Sequence, residues 1–216
     1  MTGTGTAFAP ELARLHDLGR ALDLAAGLAA VLDGLDPRTA APDGVALLPL
    51  TTPVPDAHVL PHPFAARDGL MLVRFPRSSE EPGQVRGLIG ARATALAAVR
   101  IGLLSGLLDA AAHRLAGRRF AGTRLIDQQL VVGAVADVLT ELDLAAATRI
   151  NTDNAADTAA EIAAAQHERL TEAGWTVARF FGAEGYLADH PARSLYLSAL
   201  AADVWLPRPP DAEGGR

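Results

Sequence analysis

An all-α fold is the class this sequence predicts: an antiparallel four-helix-bundle-like domain with a reduced N-terminal region, on the strength of three observations. Half of the 216 residues are apolar, and Ala and Leu dominate that half while Phe, Trp and Tyr together number only ten. Such a composition favours helices that approach one another closely. From about residue 88 onward, apolar residues recur at helical spacing in four long segments. Short joints separate these segments, which indicates antiparallel neighbours.

Taken in order, residues 1–10 read as loose chain. Pro10 opens a pattern of Leu12, Leu15, Leu18, Leu22, Ala25 and Leu28 that predicts one helix over 11–33. Between Gly34 and Gly69 the chain is Pro-rich with repeated turn signals. VALLPL and, after Gly69, LMLVRF predict short strands, and Pro49 demotes the first to an edge or an irregular segment. Residues 1–87 are therefore expected to hold one helix and a Pro-rich, partly extended segment, too poor in strands for a barrel. The turn signal SSEEPG introduces the bundle, 88–207.

Its first helix is predicted over Ile89–Ala116, with a stripe of Leu96, Val99, Leu103, Leu107 and Leu108. Gly102 and Gly106, one turn apart, predict close packing against a neighbour. Gly122 and Thr123 break the pattern, and Leu130, Val131, Ala134, Val138, Leu142 and Ala145 predict a second helix over about 125–150. NTDNAADTAAE places an N-cap at Asn154 with Asp157 three residues on. The third helix runs to about Phe181, where GAEGY stops it. His190 and Pro191 resemble a cap and first-turn proline, the last helix reaches Trp205, and 208–216 are expected to form a disordered tail.

Composition excludes several chemistries. There is no Cys, so thiolate nucleophiles, disulfides and Cys-ligated metals are out, and all nineteen basic residues are Arg, so no lysine Schiff base can form. A net charge of -6 disfavours a nucleic-acid backbone as partner. No uninterrupted apolar run is long enough to span a bilayer, and MTGTGTAFAPELARLHD lacks the basic start of a secretion signal. The expectation is a cytoplasmic protein with neither nucleic acid nor membrane as partner. A di-metal bundle needs Glu-x-x-His pairs, which do not occur. His58 and His62 sit in the Pro-rich stretch without carboxylates at ligand spacing, so no metal is expected. P-loop, dinucleotide and nucleophile-elbow signatures are missing too, and Ser105 in GLLSG lies in mid-helix with no strand before it.

The order of the breaks carries a resemblance. A long helix is followed by RRFAGTRLIDQQ at 118–129, two further helices, and FGAEGYLADHPARSLYLSA at 181–199. From Leu88 to Pro207 this resembles the C-terminal helical domain of the acyl-CoA dehydrogenase family, flavoenzymes that introduce a double bond beside an acyl thioester. The family pattern has Arg three residues before Phe, then Gly, and Gln eight after the Phe. Phe120 and Gln128 keep that spacing, Gly122 is displaced by one, and Gly117 takes the usual Arg position while Arg118 and Arg119 stand closer to the Phe. The second mark normally reads Gly-Gly-x-Gly-Tyr; Gly182, Gly185 and Tyr186 match it and Ala183 does not.

The resemblance implies FAD, with its adenine and pyrophosphate crossing a subunit interface, and nominates Arg118, Arg119, Gln128, Gly182 and Gly185 as cofactor-binding. It also implies assembly as a homo-oligomer, or as a hetero-oligomer with a full-length acyl-CoA dehydrogenase-like protein, through an interface near 118–129 and 181–186. The proton-abstracting Glu that many members carry after the last helix falls here on Leu206, flanked by Trp205 and Pro207. The earlier-helix alternative, near Leu96–Leu104, holds no carboxylate either, so no catalytic residue is assigned. Asp109 and His113, one turn apart, read as a local ion pair. The alternatives are a cofactor-free isomerase, cyclase or dehydratase using a helical pocket, with Asp109, His113, Glu141, Asp143 and Tyr186 as candidate polar groups, or a purely structural partner.

Overall fold

A computed structural model describes residues 4–76, 87–148 and 156–207. Among the described residues, six α-helices run in the order α1 (Thr4–Arg20), α2 (Leu24–Leu32), α3 (Ala91–Gly117), α4 (Gln129–Ala147), α5 (Ala156–Phe180) and α6 (Arg193–Trp205). Strands β1 (Val45–Pro49), β2 (His58–Leu60) and β3 (Leu70–Arg74) lie between α2 and α3, and a hairpin of β4 (Arg119–Phe120) and β5 (Thr123–Arg124) lies between α3 and α4. The cap expected at Asn154 and the tail at 208–216 lie outside the described residues.

The bundle forms as its periodicity predicts, around α3. Leu96, Val99, Leu103, Leu107 and Leu108 of the predicted stripe are all buried, and α1, α2, α4, α5 and α6 all pack on this one helix. By length and composition α3 could cross a membrane, yet 72% of its most apolar stretch is buried inside the fold. The helices around it account for that apolarity.

The α1–α3 contact brings backbone against backbone. A Cβ on Gly102 would overlap the carbonyl oxygen of His16, one on Gly19 would overlap that of Val99, and one on Gly106 would stand 2.5 Å from that of Arg20. The expected close packing at Gly102 and Gly106 is therefore present, with α1 as the neighbour.

The single helix expected over 11–33 is two. The α1 end closes with Asp23 N donating to Leu18 O and Leu22 N to Gly19 O, while Leu22 takes a left-handed φ of 62°, the pattern that terminates a helix by turning its last carbonyls inward. Asp23 then accepts from Ala26 N at 3.0 Å and starts α2. Leucine spacing continues across the break, so periodicity alone joins the two. At the other end α1 begins at Thr4, with Pro10 inside it.

The three strands pair antiparallel in the order β1-β3-β2, with Leu47 opposite Leu72 and Val59 opposite Val73. Pro49 ends an edge strand, as its missing N–H requires. β1 contacts both α2 and α6, which explains why Ala46, Leu47 and Leu48 are all buried. Trp205, wholly buried at the end of α6, donates its Nε1–H to Leu47 O at 2.9 Å, and Trp205 O accepts from Leu88 N at 2.7 Å. The aromatic residue at the end of α6 thus ties the bundle to the N-terminal sheet. His190 Nδ1 accepts from Ala192 N at 3.1 Å in the turn before α6, but the helix itself starts at Arg193 behind Ala192 without a side-chain cap bond, so the cap and first-turn proline expected at His190 and Pro191 lie ahead of it.

Candidate functional site

The two stretches nominated by the sequence meet in space, and a residue not nominated joins them. β4 and β5 pair with Arg119 opposite Arg124 and Phe120 opposite Thr123. Ala121 and Gly122 form the two-residue turn, with φ of 49° and 83°, the positive-φ geometry that suits a tight hairpin. Glu184 lies in the turn 182–186 between α5 and α6. It reaches Arg114 at 2.5 Å and Arg118 at 3.5 Å. Hydrogen bonding from Arg114 is the main cause of the Glu184 carboxyl lying below its ordinary range.

Around that link the nominated residues differ in what they offer. Arg118 is about half exposed and, among the described residues, pairs in charge with Glu184 alone. Arg119 is exposed and donates to Gly122 O at 2.9 Å, which leaves guanidinium N–H groups directed to solvent. Gln128 sits at the N-terminus of α4 without making a side-chain cap bond, so its amide is not engaged by the helix start. Gly182 has a φ of 63° and nothing within 4 Å of where a Cβ would be, so its backbone is open to approach. Gly185 has a packing reason of its own, since a Cβ there would stand 2.6 Å from Ala178 O. Guanidinium groups, an amide and an open glycine are the donor types that a phosphate-bearing group takes, and Glu184 competes with such a group for the positive charge of Arg118.

A second concave region surrounds Leu206, the position to which the resemblance assigns the base. Leu206 is buried, and with Thr171, Glu168 and Asp203 it lines a cleft of about 510 Å³ between α5 and α6. Asp203 and Glu168, on different helices, share the wall of this cleft. The sequence offered no signal that Glu168 would face Asp203's helix.

Behind that cleft is a buried polar pair that sequence reasoning missed. Arg100, on the stretch of α3 read as lacking a base, is only 1% exposed. It donates to His167 Nδ1 at 2.9 Å, to His167 O at 3.0 Å and to Thr171 Oγ1 at 2.7 Å. His167 Nε2 in turn faces Ala93 O at 3.1 Å, so the ring is neutral and carries its proton on Nε2. Burial first, and the Arg100 charge second, push the His167 pKa down from 6.5 to about 3. Burial likewise lowers Arg100 to about 10, against the raising influence of Asp203, so Arg100 stays charged at neutral pH.

A pH dependence follows. As pH falls below 6.5 the unfolded chain takes up a proton on His167 that the folded chain refuses until about 3, so folding stability drops across that window. In urea titrations between about pH 6 and pH 4, His167→Gln is expected to reduce the pH slope by up to about 1.4 kcal/mol per pH unit. An unchanged slope would mean that His167 is accessible to protons in the folded protein.

The residues considered for cofactor-free chemistry do not converge. Asp109 pairs with Arg20 on α1 rather than with His113, which is exposed. Glu141 lies 3.4 Å from Arg169, Asp143 is exposed and Tyr186 is largely exposed. Ser105 is a helical residue whose Oγ donates to Ile101 O at 2.9 Å.

Comparison with known proteins gives this geometry a family. Residues 84–206 match the acyl-CoA dehydrogenase C-terminal domain. Among solved structures the chain is similar to FkbI, a protein for biosynthesis of the methoxymalonyl extender unit of the polyketide immunosuppressant Fk520. Identity is 20%, over 69% of this chain and 46% of that one, with a TM-score of 0.50. It is also similar to a variant of the steroid ACAD Tcur3481–Tcur3483, with 20% identity over 74% of this chain and 44% of that one and a TM-score of 0.46. The chain thus spans less than half the length of either structure. No curated protein matches it. On a domain match covering more than half of its residues, the chain belongs to the acyl-CoA dehydrogenase family.

Proposed function

We propose that the chain is an acyl-CoA dehydrogenase-like subunit of a cytoplasmic complex that completes a flavin site together with a fuller partner and does not supply the catalytic base. The observation that carries this reading is the junction at Glu184, which holds the end of α3, at Arg118 immediately before the hairpin 119–124, against the turn 182–186. Arg118 and Arg119 would hold the pyrophosphate, Gln128 an adenine edge, and Gly182 would admit the cofactor against its backbone. FAD, when bound, supplies the hydride acceptor of the family's reaction. The residues of this chain bind and orient it.

The surface next to that junction supports assembly. Phe120 is 70% exposed at the hairpin and Leu130 is 89% exposed on the first turn of α4. Val132, Leu139 and Leu144 of the same helix are also exposed, while only Val138, Leu142 and Ala145 are buried. A helix apolar on most of its circumference is ordinarily covered, and a second subunit, identical or fuller, would cover this one.

Leu206 offers no proton acceptor where many members carry Glu. The second reading, a cofactor-free isomerase, cyclase or dehydratase, is favoured by one observation: Glu168 and Asp203 share the cleft beside Leu206. It predicts turnover without flavin.

The flavin reading is tested on the complex with its partner. Arg118→Ala with Arg119→Ala is expected to weaken flavin retention by on the order of tenfold for each charge-assisted hydrogen bond removed. Glu184→Gln, which removes the competing carboxylate, is expected to move retention the other way. Retention insensitive to all three substitutions, measured by flavin fluorescence after dialysis, would place the cofactor elsewhere.

A further inference from the structure

Arg114, Arg118, Arg119 and Arg124 stand at the end of α3 and in the hairpin that follows it. The carboxylates of Asp127 and Glu184 feel their charges. Asp127 is held by Arg124 through hydrogen bonds of 2.7 Å and 3.0 Å, which leaves Glu184 as the carboxylate set against the nominated pair, Arg118 and Arg119. Which arginine holds Glu184 therefore decides how much positive charge the junction can offer.

The two candidates hold it unequally. Arg114 and Arg118 are four residues apart, so their side chains leave the end of α3 on one face. Glu184 Oε2 lies 2.5 Å from Arg114 Nη1, whereas its Oε1 lies 3.5 Å from Arg118 Nη2, beyond the roughly 2.7–2.9 Å of a charge-assisted hydrogen bond. The Arg114 side chain is 22% exposed and that of Arg118 54%, so water screens the first attraction less. Arg114 is accordingly the main influence keeping the Glu184 carboxyl low, ahead of the charges of Arg118 and His190.

The turn that carries Glu184 is set by contacts of its own. Gly185 seats against α5, where a Cβ would stand 2.6 Å from Ala178 O. Phe181 N donates to Ala178 O at 3.1 Å, and Leu187 N donates to Glu184 O at 3.0 Å. Loss of Arg114 would thus release a carboxylate and not the turn, and the cation then within its reach is Arg118.

We propose, resting on the flavin reading above, that Arg114 is a positioning residue: it draws Glu184 off Arg118 and so leaves the Arg118 guanidinium for the cofactor's pyrophosphate. It acts through Glu184, without touching the cofactor.

A substitution cycle on the complex with its partner tests this. Arg114→Gln is expected to lower flavin retention about fivefold, the scale of one part-exposed ion pair transferred to Arg118. Arg114→Gln with Glu184→Gln is expected to bring retention back to at least the unsubstituted level. A residue that only braced the turn would give the opposite, because removing its partner as well could not repair the loss. The full chain alone supplies a readout that needs no flavin. In a carboxyl-carbon NMR titration, the Glu184 midpoint is expected to rise further with Arg114→Gln than with Arg118→Ala. An equal or larger rise with Arg118→Ala overturns the inference whatever the flavin does. Retention lowered by Arg118→Ala but unmoved by Arg114→Gln, or a loss that the double variant does not repair, overturns the inference and leaves the flavin reading standing. Retention unmoved by Arg118→Ala overturns that reading, and the inference with it.

Discussion

Trp205→Ala is expected to destabilise the protein by about 3–5 kcal/mol, the range for emptying a large buried aromatic site. The side chain is wholly buried between α6 and the sheet, and its indole N–H is held by Leu47 O, so the substitution creates a cavity and removes a buried donor together. Trp205→Phe keeps most of the volume without the hydrogen bond, and is expected to cost about 1 kcal/mol. Urea unfolding of both variants separates the two contributions. Near-equal small effects would mean that the end of α6 is not anchored on β1. The residue preceding Leu206 is thereby fixed in the core, so the end of α6 is a structural anchor.

Gly102→Ala is expected to cost about 3 kcal/mol, at the upper end of overpacking effects. The added methyl meets the His16 carbonyl oxygen, and backbone cannot swing aside as a side chain can. Gly133→Ala is the matching control. Gly133 lies inside α4 with nothing within 4 Å of a Cβ, so gaining a better helix former should stabilise by up to about 1 kcal/mol. If Gly102→Ala were as harmless as Gly133→Ala, the close approach of α1 to α3 would be wrong.

Features that depend on local repetition were legible in the sequence. The four bundle helices follow from apolar spacing, Gly102 and Gly106 mark a close crossing by lying one turn apart, and Pro49 places β1 at an edge. What escaped depends on partners distant in sequence or on single dihedrals. Leu22 breaks α1 from α2 without interrupting the leucine pattern. The three residues of β2 are too few to show a period. The hairpin turn is built on Ala121–Gly122, which lacks the Asn or Asp that would have announced it.

The candidate site divides the same way. Arg118, Arg119, Gln128, Gly182 and Gly185 could be nominated only through the family resemblance that the order of the breaks carries. That Glu184 would bind two arginines from α3 and its end depends on how the turn after α5 lies against the end of α3. Arg100 and His167 are 67 residues apart, and a lone Arg in an apolar helix was the only trace they left.

The central claim is a flavin site shared with a partner, and the visible absorbance of purified material tests it most directly. Co-expressed with a full-length acyl-CoA dehydrogenase-like protein, the chain is expected to purify as a yellow complex. Purified alone it should be colourless and, supplied with FAD and a panel of acyl thioesters, should show no substrate-dependent reduction of an electron acceptor. A colourless complex, or a chain that dehydrogenates an acyl thioester by itself, would contradict the account.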